Sequence, residues 1–238
     1  MPFPKLPRPA KLFFAADVLV GLLYIVNQAM GHPYAKINRL VDLDGEANLP
    51  TWYSSLQWAA TAGLFAFVVY RQRRRRAESM LPLLVIAVVF LALSLDEVAQ
   101  IHEKLSIGAN GKMGAGEGGL RGLWLPILGI PMLGVVAIAA RKARTAFDDS
   151  PGSLLCLMVG MGVFGLGAFG VEPIVLRFLD SPGHVFVYLE ETMEMVGVTF
   201  ILWCGYIIAR REGMLAFDRE GRVGARLTPD GSPPVSEG

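Results

Sequence analysis

Apolar residues fall in six long runs, near 12–31, 52–70, 80–102, 123–140, 153–173 and 184–209, each closed by charges or by Pro and Gly. Runs of about 20 residues match the thickness of a bilayer core. Backbone groups in lipid must bond within their own segment, so runs of this length are predicted to be helices. The pattern predicts an all-α, six-span transmembrane helical bundle over residues 12–209. Residues 1–11 precede it as a short N-terminal segment. Residues 210–238, rich in charge, Gly, Pro and Ser, are predicted to form a disordered cytoplasmic tail.

The basic residues orient the spans. Lys5, Arg8 and Lys11 precede span 1, Arg71 and Arg73 to Arg76 follow span 2, Arg141, Lys142 and Arg144 follow span 4, and Arg210 and Arg211 follow span 6. These thirteen all fall on one side, against Lys36, Arg39, Lys104, Lys112, Arg121 and Arg177 on the other. The positive-inside rule therefore predicts both termini in the cytoplasm, in a bacterial-type inner membrane. Arg71 to Arg76 read as a topology anchor that also touches anionic lipid. A cleaved signal peptide competes for span 1, which ends at Ala29-Met30-Gly31, but Asp17 interrupts the apolar core and the stretch is long for that role.

Composition agrees with lipid as the solvent. The chain of 238 residues is 53% hydrophobic, and its 18% charged residues fall below the roughly 25% of an average globular protein; its mean hydropathy is +0.46. A net charge of +1 offers no footprint for nucleic acid. Cys156 and Cys204 both fall inside apolar runs, which excludes a secreted disulfide framework. The seven glycines between residues 106 and 122 lack the flanking strand and helix of a phosphate-cradling loop and read as a linker. In span 5, Gly160 and Gly167 share one helical face and Gly162, Gly165 and Gly170 another. That arrangement predicts close packing against two neighbours, with span 5 central.

Ionisable groups inside spans are costly and mark function by default, and here they concentrate. Span 3 ends Asp96-Glu97-Val98-Ala99-Gln100-Ile101-His102-Glu103, and span 6 begins at His184 and carries Tyr188, Glu190, Glu191 and Glu194. With the predicted topology, all of these lie in the outer half, with Glu172 and His32 on the same side. Asp96/Glu97 and Glu190/Glu191/Glu194 reach similar depths, roughly 9–15 Å from the outer helix ends at 1.5 Å per residue. If spans 3 and 6 touch, five carboxylates meet in one layer. They cannot all be ionised there without a proton, a cation or a metal.

Three uses of that layer compete. Asp96, Glu97, His102, Glu103, His184, Glu190, Glu191 and Glu194 could bind a divalent metal ion such as Zn, Fe or Mn, with Glu97 and Glu191 as catalytic bases. The same acids could carry protons or cations across the membrane. Or they could simply solvate an aqueous vestibule. Asp17, in the inner half of span 1, stands apart from the cluster and could pair with a neighbouring polar group. Asp42-Leu43-Asp44-Gly45-Glu46 reads as an acidic turn, lacking the full twelve-residue calcium loop. No Gly-x-Ser-x-Gly, Ser-x-x-Lys or His-Glu-x-x-His occurs, so serine-nucleophile and zincin chemistry have no support.

Leu93-Ser94-Leu95-Asp96-Glu97 with His102-Glu103, Glu190-Glu191 with Glu194-Met195, and Leu43 to Glu46 with Pro50 to Ser55 together resemble a group of uncharacterised bacterial multi-pass membrane proteins. The likeness spans most of residues 35–210 and implies no reaction, because that group has no established activity. A fainter similarity to ceramidase-type intramembrane metal hydrolases rests on Ser94-Leu95-Asp96 and a downstream His; their paired His-x-x-x-His is absent, so their activity does not carry over. Taken together, the residues favour a metal-dependent membrane enzyme acting on a lipid or other amphipathic substrate. A proton- or cation-coupled transporter and a non-catalytic membrane subunit or sensor are the alternatives. The transporter is disfavoured because the inner half offers little beyond Asp17.

Overall fold

The computed structural model describes residues 3–45, 47–72, 77–101, 104, 125–171 and 183–213. Over these the chain is helical, with no strand among the described residues. The helices are α1 (Arg8–Ala29), α2 (Ala35–Val41), α3 (Leu49–Gln72), α4 (Ala77–Ala99), α5 (Ile130–Lys142), α6 (Arg144–Asp148), α7 (Ser153–Leu166) and α8 (His184–Arg211). A π-helical turn, Leu125–Gly129, leads into α5, and a second, Gly167–Val171, continues α7. The glycine-rich stretch 106–122, His102, Glu103, Glu172, Arg177, Arg73 to Arg76 and the tail beyond residue 213 lie outside the described residues.

Among the described residues three helices are long and apolar enough to cross a membrane: α1, Glu78–Ala99 of α4, and α8. This is the mark of a membrane protein, and it corrects the expectation that six spans each meet that standard. The shortfall has a local cause in each of the other helices. α5 and α7 contain 13 and 14 residues, which at 1.5 Å per residue extend only about 20 Å. α3 has 24 residues, but Ser54, Ser55, Gln57, Thr61 and Gln72 interrupt its apolar character. Those polar positions are where α3 meets its neighbours.

Helix ends follow local chemistry. Pro7 and Pro9 open α1, where a missing N–H costs nothing. Asn48 caps α3: its Oδ1 accepts from Thr51 N at 3.1 Å, while its Nδ2 donates to the carbonyls of Asp42 and Gly45 at 2.5 and 2.7 Å. The Asp42 to Gly45 stretch is thereby a turn tied to a helix start. Gly152 turns the chain between α6 and α7 at φ +83°, a conformation that favours glycine.

α8 is the central element. It packs along α7, α3 and α1, while α4 packs along α3 and α5. Val198, Ile201, Cys204 and Ala209 of α8 are completely buried. Against α7 the two backbones nearly touch. A Cβ on Gly160 would lie 2.7 Å from the Gly197 carbonyl, and one on Gly197 would lie 2.5 Å from Phe164 N. Gly167 makes the same kind of approach, 2.9 Å from the Glu190 carbonyl. Small residues of this kind let membrane helices approach closely. The other face of α7 differs from expectation, since Gly162 has nothing within 4 Å of a Cβ. Its glycines serve one neighbour, and α8, not α7, is central.

α3 and α4 run antiparallel and are joined by reciprocal serine bonds. Ser55 Oγ donates to the Ser94 carbonyl and Ser94 Oγ to the Ser55 carbonyl, each at 2.9 Å. Deeper in the pair, Trp58 and Phe65 of α3 pack against Phe90 of α4 at 5.3 and 5.6 Å between ring centroids.

Candidate functional site

The fully buried carboxylate among the described residues is one the sequence left at the margin. Asp17 is fully buried near the middle of α1. Its Oδ1 accepts from Tyr53 Oη at 2.6 Å and from Gln57 Nε2 at 2.8 Å, both on α3. Its Oδ2 accepts from Thr199 Oγ1 of α8 at 2.8 Å. Gln57 Nε2 also donates to Thr199 Oγ1 at 2.9 Å and approaches the Met195 carbonyl at 3.3 Å. Tyr53 has a second acceptor, the Phe13 carbonyl, at 3.0 Å. Gln57 and Thr199 are themselves fully buried, and Gln57 Oε1 has no partner among the described residues. On insertion scales an Asp at a helix centre costs about 2.5–3.5 kcal/mol, and three donors from two other helices offset that cost. The expected neighbouring polar partner exists in triplicate. The signal that could have found it is the spacing of Tyr53, Gln57 and Thr61 at i, i+4 and i+8, a polar stripe along one face of α3.

A second feature lies on another face of α3. A cavity of about 170 Å³ opens between α3, α4, α5 and α7, walled by Trp58, Phe90, Met132, Val136, Met161 and Phe164, with Asp96 at its edge. Trp58 and Phe164 meet edge to face at 5.2 Å. An apolar cavity of about 150 Å³ stays dry and takes a benzene-sized group, so this one accommodates a short hydrocarbon segment.

The predicted acids divide among these surroundings. Asp96 and Glu97 are half-buried near the end of α4; Asp96 borders the cavity, while Glu97 Oε1 turns to α3 and accepts from Ser54 Oγ at 3.0 Å. Glu190, Glu191 and Glu194 are half-buried on α8. Glu194 lies against Gly167, its Cγ 3.0 Å from where a Cβ would stand, and Glu191 is within electrostatic reach of Tyr24 on α1. His184 is exposed, with Nδ1 3.4 Å from Tyr24 Oη and its ring 6.2 Å from that of His32. His32 Nδ1 in turn lies 2.7 Å from Asn38 Oδ1. Tyr188 packs across Gly21 at the α1–α8 contact. His102 and Glu103 are outside the described residues.

The divalent-metal expectation is therefore corrected. Among the described residues no group of three or more His, Cys, Asp or Glu side chains is placed to hold a metal ion. The single layer required spans 3 and 6 to touch, but α3 packs against both α4 and α8 and stands between them. Asp96 and Glu97 consequently face α5 and α3, while the α8 glutamates face α1 and the turn after α7.

A family model described as a domain of unknown function, DUF8692, matches residues 12–209. No curated protein and no solved structure matches the chain.

Proposed function

The chain belongs to the DUF8692 family, and we propose that it is a six-span membrane protein that binds the apolar chain of a lipid or other amphipathic molecule between α3, α4, α5 and α7. In this reading both termini are cytoplasmic and the protein resides in a bacterial-type inner membrane. The skew of basic residues supports that orientation, with Arg71, Arg141, Lys142, Arg210 and Arg211 all at ends of helices on one side. The shorter α5 and α7 complete their crossings through the π-helical turns that adjoin them.

The observation that carries the reading is the cavity. Its wall is aliphatic, aromatic and thioether side chains, and among the described residues its single ionisable lining group is Asp96 at the edge. This is the usual division of a small-molecule pocket, an apolar body with few polar groups that fix orientation. The hydrocarbon enters among Trp58, Phe90 and Met161, and a hydrogen-bond donor on the headgroup meets Asp96. Ala92, exposed and on the lining, offers a way to fill the space without disturbing the core.

Organic extraction of the full chain purified in mild detergent, followed by mass spectrometry, tests the proposal. The wild type should yield a stoichiometric amphipath, and Ala92→Phe should lose it while keeping its melting temperature. Equal recovery from both proteins, or none from either, overturns it.

A second reading is favoured by one contact. The Ser54 hydroxyl donates to Glu97 at 3.0 Å, the arrangement of a hydroxyl beside a base. Glu97 would then act as a general base on the bound amphipath. Glu97→Gln should abolish turnover of the extracted molecule and leave its binding intact.

A further inference from the structure

We infer that Asp17 and Thr199 form an intramembrane proton-binding site, with the proton held on Asp17 Oδ2 and shared with Thr199 Oγ1. Asp17 meets a different face of α3 from the one that lines the cavity, so its proton is independent of what that cavity binds.

The geometry provides partners for both protonation states. In the charged state Tyr53 and Gln57 donate to Oδ1 and Thr199 donates to Oδ2. All three are neutral donors, and no Lys, Arg or His lies within ion-pair distance of Asp17 among the described residues. The carboxylate is satisfied in its hydrogen bonds but not in its charge. In the neutral state Oδ1 keeps its two donors, and Oδ2–H donates to Thr199 Oγ1. A hydroxyl both donates and accepts, so Thr199 needs only to turn its own proton. The acceptor is the Met195 carbonyl, four residues earlier, which a helical threonine commonly reaches. The exchange then leaves the heavy atoms in place.

Gln57 supplies the second, independent observation. Its Oε1 is buried without a partner, and buried unpaired acceptors of this kind mark the positions of internal water. A water bound there would stand one side chain from Asp17 and would connect it to the proton supply. The chemistry is one proton passed from hydronium to the carboxylate, leaving water, and returned to water as hydronium on release; no other bond changes. The titratable group facing Asp17 from α3 is Tyr53. From α8 the facing residues are Met195 and Thr199, with Glu191 and Glu194 nearer the start of that helix. No other ionisable residue lies within one turn of Asp17 on α1.

Infrared difference spectroscopy of the full chain, recorded between alkaline and acidic buffer, reads the proton directly. The wild type should gain the carbonyl stretch of a hydrogen-bonded carboxylic acid, and Asp17→Asn should lack that band. Thr199→Val, which removes the sharing partner, should move the band to higher frequency, and it decides the matter if Asp17→Asn does not fold. A band that persists in Asp17→Asn, one that is unmoved in Thr199→Val, or no acid carbonyl band at any pH at which the protein stays folded overturns the inference.

Discussion

Asp17 is fully buried and held by donors from α3 and α8, whereas Asp96, Glu97, Glu190, Glu191 and Glu194 sit half-buried near the end of α4 and the start of α8. The lone acid forms a junction of three helices. The five grouped acids are spread over two helices that α3 keeps apart. Number of charges is therefore a poor guide to where a membrane protein concentrates its polar chemistry. A single carboxylate that must find every partner inside the bundle organises more structure than several that lie near helix ends.

That contrast makes graded predictions. The largest effect should follow Gln57→Leu, which removes a donor to Asp17 and to Thr199 at once and should lower stability by about 2–3 kcal/mol. The midpoint of thermal unfolding in detergent would fall by several degrees; an unchanged midpoint would show that the junction carries no stability. Thr199→Val removes one interhelical bond, on the scale of about 0.6–1.7 kcal/mol measured for such bonds in membranes. It should destabilise less than Gln57→Leu, and the double variant should be less than additive because both changes act on the same carboxylate.

Ser54→Ala tests the other region. It deletes a single bond to a half-buried Glu97, so the loss should be about 0.5–1 kcal/mol, read in the same unfolding assay. A cost equal to that of Gln57→Leu would erase the distinction between the two regions. The smallest effect is expected for Glu191→Gln, within about 0.5 kcal/mol. Chelator treatment should likewise leave the unfolding midpoint of the wild type unchanged. A large chelator-dependent drop, abolished in Glu191→Gln, would restore a metal to the α8 acids.

The half of the site that was legible was legible for local reasons. Asp17 stands out as a charge in an apolar run, and Ser54, Ser55 and Gln57 stand out in α3. Nothing in the sequence says that they meet, because their separations along the chain, 36 to 40 residues between α1 and α3 and 182 between Asp17 and Thr199, carry no periodic signal. The acids of α4 and α8 suggested a metal layer that the described residues do not form. Similar depth along two helices looked like proximity, but depth fixes only one coordinate of three.

The sequence by itself determined the helices. Hydrogen bonding from residue i to i−4 is local and lipid offers no other partner, so each apolar run became helical in its described residues, and α3 begins at the cap that Asn48 supplies. Whether a helix is apolar enough to cross unaided was also written locally, in the polar face of α3 and the shortness of α5 and α7. Which helices touch was decided only in three dimensions. Gly160 and Gly197 let α7 and α8 approach to backbone contact, Ser55 and Ser94 clasp α3 to α4, and α3 is left between α4 and α8. That placement follows from the fit of side chains far apart in the chain, and it is why one carboxylate became a junction while five others form no metal-holding group among the described residues.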